Sequence, residues 1–366
     1  MSDQQAGRRR IALVGAGVIG QHHARVIDQL ADRLDLVAVV DPIEELAQRL
    51  VNRYGGKPFA SLTEALAGTE IDLVVLCTPT GRHGAGAIEA LQAGKDVIIE
   101  KPAEITVERT DEIIAAQQAS GRLVTVISQH RFDPSTELAV AAIARGELGR
   151  LTSGIASIDW WRGQSYYDSG DWRGTWELDG GGALMNQGVH TVDLLVATMG
   201  RPVEVFAYTG TLAHERIEVE DVAVGVVRFE SGALGVLHAT TAAYPGMSAR
   251  LQVHGDKGSL IIDSDLLTFI HRTPVSAGLE ERAYGASSKT LNQVGEFPEA
   301  AAPVQTAGAD PGALGIAAHR RQYENFLAAL DGTEQVRVDL EVNRQAIGII
   351  TGVYESARTG LPVRLS

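Results

Sequence analysis

Gly15-Ala16-Gly17-Val18-Ile19-Gly20 closes a short apolar run, Ile11–Gly15, and opens a helical pattern near Val18. Glycines at this spacing permit a tight turn, a close approach of an anion to the backbone, and close packing of helix on strand. The N–H groups of Val18 and Ile19 at the helix start are then candidate donors to a pyrophosphate. Asp41 ends the next strand pattern 21 residues after Gly20, the spacing at which a carboxylate meets an adenosine ribose diol. The combination predicts a dinucleotide site. A carboxylate that accepts from a 2′-hydroxyl repels a 2′-phosphate, and Pro42 rather than an arginine follows it, so NAD is expected in preference to NADP.

In an open α/β sheet the ligand lies beyond the carboxyl ends of the strands. Two segments leave those ends with polar groups: Cys77-Thr78-Pro79-Thr80, followed by His83, and Glu100-Lys101-Pro102. Cys77, Thr78, Pro79, His83, Glu100 and Lys101 are therefore candidate cofactor contacts. Lys101 is also a candidate catalytic and substrate-binding group, since an ammonium stabilises a developing alkoxide and relays a proton. His83 reads equally well as a helix-start or packing histidine.

A second constellation follows the glycine triplet Gly180-Gly181-Gly182. On a helix starting there, Asn186, His190 and Asp193 fall at i, i+4 and i+7 on one face, which a buried apolar stripe would not provide. His190 is the candidate general base and Asn186 the residue that orients substrate or lysine. Asp193 either fixes the imidazole tautomer or makes a structural hydrogen bond.

The elements that carry these groups divide the chain in two. Ile11–Gly15, Leu36–Asp41, Asp72–Cys77, Val97–Glu100 and Leu123–Ser128 are Val/Ile/Leu-rich runs of the kind buried on both faces of a parallel sheet. Helical patterns at 42–54 and 106–120 alternate with them, so residues 1–130 predict a doubly wound α/β domain. Residues 131–366 predict an α+β domain: a helix at 134–144, another at 183–199, hairpin-linked strands over 222–241 and 251–262, and helices at 316–330 and 340–358. Successive hairpins make a mostly antiparallel open sheet. The stretch 273–311, rich in Ala, Gly, Ser and Pro, is too long for an ordinary connection and reads as a lid, an oligomer arm or a partly mobile segment.

Composition narrows the function classes. The 366 residues carry 32 basic and 46 acidic side chains, a formal charge of −14, and both halves are acidic. A nucleic-acid partner is not expected. No apolar run reaches the length of a membrane span and no signal-peptide pattern opens the chain. A single cysteine, Cys77, excludes intramolecular disulfides and fits a reducing compartment; a cytoplasmic location is expected. No metal motif is present, and His22 and His23 on the first helix read as surface or packing residues.

The Gly15–Gly20 turn, the Glu100-Lys101-Pro102 tripeptide, the glycine-triplet helix with His190 and the segment Tyr354–Gly360 together resemble the Gfo/Idh/MocA family, which includes glucose–fructose oxidoreductase and inositol dehydrogenases. The resemblance runs from about residue 8 to the C-terminus. It implies a Rossmann domain, a C-terminal α+β domain for substrate binding and oligomerisation as a homodimer or homotetramer, and NAD(P)-linked oxidation or reduction of a sugar or cyclitol secondary alcohol. By motif, Lys101 and His190 match the family's catalytic lysine and histidine. Asn186 departs from it, because members commonly have aspartate four residues before the histidine. Arg131 and Tyr244 are candidate substrate contacts by family position alone.

All four tryptophans, Trp160, Trp161, Trp172 and Trp176, lie within 17 residues and alternate with Tyr166, Tyr167, Arg162 and Arg173. Trp172 suits the apolar face of a pyranose or cyclitol, and Arg173 a carboxylate or phosphate; packing or a subunit interface accounts for the cluster equally well. His319 interrupts an apolar helix face and reads as a core or inter-domain histidine. The leading expectation is an NAD-dependent dehydrogenase of sugars, sugar acids or cyclitols. Dihydrodiol dehydrogenation, an NAD-using glycoside hydrolase and a non-catalytic NAD sensor are the alternatives.

Overall fold

The computed structural model describes residues 7–273, 291–302 and 315–366. The chain forms two compact units, residues 1–127 with 316–344, and 128–315 with 345–366.

The first unit is built on six parallel strands: β1 (Arg9–Val14), β2 (Leu34–Val40), β3 (Lys57–Phe59), β4 (Leu73–Leu76), β5 (Asp96–Ile99) and β6 (Val124–Val126). Their order is β3-β2-β1-β4-β5-β6, so the winding reverses between β1 and β4, where doubly wound sheets bind ligands. The apolar runs are buried as their composition requires; Ile11, Leu13, Val74, Val75 and Ile99 are all inaccessible. Helices α1 (Val18–Gln29), α2 (Glu44–Tyr54), α3 (Leu62–Gly68), α4 (His83–Gln92) and α5 (Val107–Ser120) connect the strands. The Ser61 and Thr106 side chains cap α3 and α5 by accepting the N–H groups of Glu64 and Arg109.

The expected boundary near residue 130 needs one correction, since residues 316–344 return to the first unit. Helix Ile316–Leu330 buries Tyr323, Phe326 and Leu327 in the core that holds Leu13, Ile27 and Ile98. Asp331 accepts from Arg9 and Arg33 at 2.7 and 2.6 Å, and the Val338 carbonyl accepts the Val126 N–H at 3.2 Å. Periodicity marked the apolar face of this helix but carries no information on which core the face covers.

The second unit is organised by an eight-stranded sheet. Its strands are β7 (Leu151–Asp159), β8 (Pro202–Gly210), β9 (Val222–Phe229), β10 (Leu234–Thr240), β11 (Ala249–Gly255), β12 (Ser259–Asp263), β13 (Leu266–His271) and β14 (Val363–Arg364). The order is β13-β12-β11-β7-β10-β9-β8-β14, and every pair is antiparallel except β7 with β10. Helices α6 (Pro134–Ala144), α7 (Gln164–Tyr167) and α8 (Val189–Met199) precede most of it in the chain. One face of the sheet packs Val227, Phe229 and Leu237 into a core with Leu195, Met199, Ile349 and Ile350. The other face exposes Tyr208, Val224, Val226, Leu234 and Val236, the alternation of a sheet covered on one side.

Residues 183–199 do not form one regular helix. Ala183–Gly188 is wound as a π-helix before α8 begins at Val189, so a uniform 3.6-residue spacing does not hold across Asn186 and His190. The segment read as a lid or arm lies largely outside the described residues. Its described part, 291–302, packs on β13: the Gln293 N–H donates to the Ile270 carbonyl at 2.8 Å, and the Leu267 N–H to the Ala300 carbonyl at 2.9 Å. No helix among the described residues is long and apolar enough to cross a membrane.

Candidate active site

The glycine turn links β1 to α1 at the carboxyl edge of the first sheet, and its three glycines have different surroundings. A Cβ on Gly15, where φ is +96°, would stand 2.5 Å from the Cys77 carbonyl oxygen, and one on Gly20 would stand 2.0 Å from the Gly15 carbonyl oxygen. Gly17 meets nothing within 4 Å. Two glycines therefore close the turn on the protein, and the third leaves an open face in front of the N-terminus of α1, whose Val18 is exposed. Asp41 is buried and braces the turn: one carboxylate oxygen accepts the Ala16 N–H at 2.8 Å, the other the Ile43 N–H at 2.9 Å. An ionised carboxylate has about four acceptor positions, so two bonds leave capacity for ribose hydroxyls. The Thr78 hydroxyl is buried beside Gly15 with no partner among the described residues. An open phosphate face, a braced carboxylate and an orphaned hydroxyl fit a dinucleotide.

The other candidate cofactor residues sit at the ends of β4 and β5. Cys77 is buried, and burial together with the Glu100 charge pushes its thiol well above the usual range, which keeps it neutral. His83 is buried with Nδ1 at 2.8 Å from the Pro102 carbonyl and Nε2 at 2.8 Å from the Thr78 carbonyl. From the first position of α4 it ties the loops after β4 and β5 together.

Glu100 and Lys101 leave β5 side by side, Glu100 buried and Lys101 half-buried. One Glu100 oxygen accepts the Lys101 N–H at 2.9 Å, and the other accepts from His23 Nε2 at 2.8 Å. Burial pushes the carboxyl upward, but the hydrogen bond from His23 and the electrostatic influence of His23, His319 and Lys101 outweigh it and bring the pKa to about 2. Glu100 is thus an ionised buried anion, already bonded on both oxygens. His23, expected at the surface or in packing, and His319, expected in the core or between domains, both stand beside this anion. Nothing in the local sequence links His23 to Tyr323, whose hydroxyl meets its Nδ1 at 2.7 Å from 300 residues away.

In the second unit the glycine triplet is explained by what it touches. A Cβ on Gly181 would lie 2.1 Å from the Tyr354 hydroxyl, and one on Gly182 would lie 1.8 Å from the Glu220 carbonyl oxygen. The buried Glu220 carboxyl accepts the Gly182 N–H at 2.9 Å and the Leu184 N–H at 2.8 Å, and the Tyr354 hydroxyl donates to it at 3.1 Å. Burial drives its pKa up to about 7 against these three bonds. Glu220 thus anchors the turn that starts the Asn186–His190 segment, an interaction that no pattern in the sequence announced.

Asn186 Nδ2 donates to Asp179 Oδ1 at 2.7 Å. Asp179 is buried and its other oxygen accepts the Gly174 N–H at 2.9 Å. The His190 ring packs edge-on against His130, with centroids 5.0 Å apart. His130 Nδ1 lies 2.9 Å from Asp133 and 3.1 Å from Asp265; burial opposes its charged form, but the two carboxylates hold its pKa well above the usual value. The guanidinium of Arg131, proposed as a substrate contact, pairs with Asp193 through Nε and Nη2 at 2.7 and 2.8 Å. Asp193 therefore makes the structural bond of the two roles open to it. Tyr244 is 80% exposed and packs edge-on against Trp161 at 5.3 Å.

The aromatic cluster is a set of cation–aromatic stacks. The Arg173 guanidinium lies 4.3 Å from the Tyr166 ring centre and 4.4 Å from that of Trp172, and it donates to the Tyr166 hydroxyl at 2.7 Å. Arg162 lies 4.8 Å from the Trp160 ring centre and 5.6 Å from that of Tyr166. Gln187 Nε2 also donates to the Tyr166 hydroxyl at 2.9 Å, which ties the cluster to the segment that carries Asn186 and His190.

Two groups have ligand types that metals favour, His23-Glu100-His319 and His130-Asp133-Asp265. In each, an imidazole nitrogen is in direct hydrogen-bond contact with a carboxylate, at 2.8 and 2.9 Å. Donors each about 2.0–2.1 Å from a tetrahedral ion stand farther apart than that, so both groups are hydrogen-bonded clusters as they stand.

Residues 9–128 match the family described as "Oxidoreductase family, NAD-binding Rossmann fold", and residues 136–261 the "GFO/IDH/MocA C-terminal domain". The chain is 30% identical over 229 residues to 4-carboxy-2-hydroxymuconate-6-semialdehyde dehydrogenase of Sphingobium sp., covering 62% of this chain and 70% of that protein. It is 28% identical over 268 residues to myo-inositol 2-dehydrogenase of Thermotoga maritima, covering 70% and 75%. The WlbA dehydrogenase from Bordetella pertussis, solved in complex with NADH and UDP-GlcNAcA, superposes with a TM-score of 0.83 at 31% identity over 100% of this chain and 99% of that one.

Proposed function

Because the chain belongs to the Gfo/Idh/MocA family of NAD-binding oxidoreductases, we propose that it interconverts a secondary alcohol and a ketone on a sugar, sugar acid or cyclitol, with Lys101 and His190 handling the hydroxyl proton. The Gly15–Gly20 turn and Asp41 would hold NAD, which would supply the hydride-accepting chemistry for the carbinol carbon. The observation that carries the reading is the exit of Lys101 from β5 on the same carboxyl edge of the first sheet as the open Gly17 face.

Each side chain then has a defined task. The Lys101 ammonium donates to the substrate oxygen and stabilises the charge that builds there as its proton leaves. His190 accepts that proton as general base and returns it in the reverse direction. Asn186 has no proton to relay; bonded to Asp179, it orients substrate through its carbonyl. Gly15, Gly17, Val18, Ile19, Gly20, Asp41, Cys77, Thr78, Pro79 and His83 form the cofactor side. Trp172 and Arg173 supply an apolar face and a cation, which suits a sugar that carries a carboxylate or phosphate, as the UDP-GlcNAcA bound to the WlbA relative does. The exposed apolar sheet face of Tyr208, Val224, Val226 and Val236 supports a homodimer or homotetramer, and the buried free thiol of Cys77 suits a cytoplasmic setting.

NAD reduction, followed at 340 nm over a panel of inositols, hexoses, uronates, nucleotide sugars and anhydrosugars, tests the reading. NADH formed in proportion to a secondary alcohol consumed is expected. NAD that binds tightly while no compound yields NADH would defeat it. Cleavage of a glycosidic bond without net NADH would assign a hydrolase instead.

A further inference from the structure

The interior of the first unit holds a carboxylate, three imidazoles and a phenol at a place where a sheet and two helices otherwise pack apolar faces. Glu100, His22, His23, His319 and Tyr323 are all at most 5% exposed. Buried polar groups are costly unless their bonds are made, and here the bonds run in sequence toward one residue. The Tyr323 hydroxyl meets His23 Nδ1 at 2.7 Å, His23 Nε2 donates to Glu100 Oε1 at 2.8 Å, and Glu100 Oε2 accepts the main-chain N–H of Lys101 at 2.9 Å. A carboxylate only accepts, so Nε2 carries the proton of the middle bond, and in the neutral ring Nδ1 is left to accept from the tyrosine.

The other titratable groups around Glu100 do not replace His23. His319 Nε2 stands 3.9 Å from Glu100 Oε1, beyond hydrogen-bond length. Cys77 and His83 are pushed toward their neutral forms by burial, and burial brings His22 down to about 4. Burial together with Cys77 and Glu100 keeps Tyr323 protonated.

We propose that His23 is a positioning residue for Lys101: supported by Tyr323, it holds the Glu100 carboxylate against the main chain from which the lysine side chain departs. The inference rests on the reading of Lys101 as the group that polarises the substrate oxygen. An anion fixed one residue away favours the ammonium over the amine, and its bond to the Lys101 N–H fixes the base of a flexible side chain. Without that bond Lys101 loses both its anchor and its counter-charge.

The test uses the full chain. His23→Leu alone leaves a buried carboxylate without its donor, so the informative variant is His23→Leu with Glu100→Gln, in which the donor and the buried charge are removed together and the fold is retained. We expect a 10- to 100-fold lower kcat, with substrate KM and the NAD Kd within threefold of the parent. In the cofactor-free protein with 13C-dimethylated lysines, of which the chain has five, the Lys101 resonance should titrate at lower pH. His23→Gln, whose amide still donates to Glu100, should recover most of the rate. Parental kcat and an unmoved Lys101 titration in the double variant overturn the proposal, as does a well-folded His23→Gln no faster than the double variant. Lys101→Ala separates the two claims. If it turns over normally, the reading of Lys101 itself is wrong; if it is inactive while the double variant is fast, only the role of His23 fails.

Discussion

Substituting alanine for two glycines of the same six-residue turn should produce opposite defects. A Cβ at Gly20 would lie 2.0 Å from the Gly15 carbonyl oxygen and 3.0 Å from its carbon, both main-chain atoms that no rotamer can move. Forcing such a contact costs about 3 kcal/mol, the upper end for overpacking, and the better helix propensity of alanine offsets about 1 kcal/mol. The net loss of about 2 kcal/mol corresponds to a fall in Tm of roughly 4–8 °C for a domain of this size. Gly17→Ala meets nothing within 4 Å, and Gly17 has φ of −68°, which alanine adopts freely. A weaker N-cap and a stiffer unfolded chain nearly cancel, so stability should change by no more than about 0.5 kcal/mol. Its methyl instead occupies the face where the pyrophosphate approaches. Loss of one charge-assisted bond, worth about 1.5–3 kcal/mol, weakens NAD by roughly 10- to 150-fold. Differential scanning fluorimetry and calorimetric NAD titration on the two variants read both effects. A Gly17→Ala protein with the parental Kd, or a Gly20→Ala protein with the parental Tm, would refute the assignment of the open and closed sides of the turn.

Three other perturbations follow from buried charges. Arg131→Ala strands Asp193, whose side chain is 5% exposed; an unfolding loss of about 3–5 kcal/mol is expected, partly recovered by adding Asp193→Asn, and urea denaturation measures both. Glu220 holds its proton to about pH 7 in the fold but only to about pH 4.3 when unfolded. Between those values the native state binds more protons than the unfolded one, so this contribution is complete at low pH and is lost as pH rises through 7. It amounts to up to about 3 kcal/mol; Glu220→Gln should flatten the dependence of stability on pH between 5 and 8, and an unchanged slope would count against it. Asp41→Ala should lower kcat/KM with NAD at least tenfold and raise the NADP-to-NAD ratio; an unchanged ratio would remove the ribose role of Asp41.

Five of the six strands of the first sheet were readable because strands buried on both faces need apolar runs, as in Leu73–Leu76 and the Val97-Ile98-Ile99 part of β5, whereas β3, Lys57–Phe59, is too short and mixed to show one. In the second unit β7 and β8 carry no such mark. Leu151–Asp159 is half polar and includes Gly154, where a Cβ would press within 2.7 Å of Leu195; β8 begins at Pro202. The main candidate site residues were readable because glycine turns and strand exits constrain what stands beside them. The residues that support them were not. Glu220 reaches Gly182 across 38 positions and Tyr323 reaches His23 across 300, and no local spacing encodes such pairs. The π-helical winding at Ala183–Gly188 likewise depends on tertiary anchors rather than on propensity.

The proton-handling pair is open to one direct measurement: kcat on the preferred alcohol and NAD Kd, determined on the same preparations of Lys101→Ala and His190→Ala. Both variants should bind NAD within about threefold of the parent while kcat falls roughly 10²- to 10⁴-fold, the size of a lost general acid or base. Parental kcat in either variant, with NAD bound normally, would contradict the account.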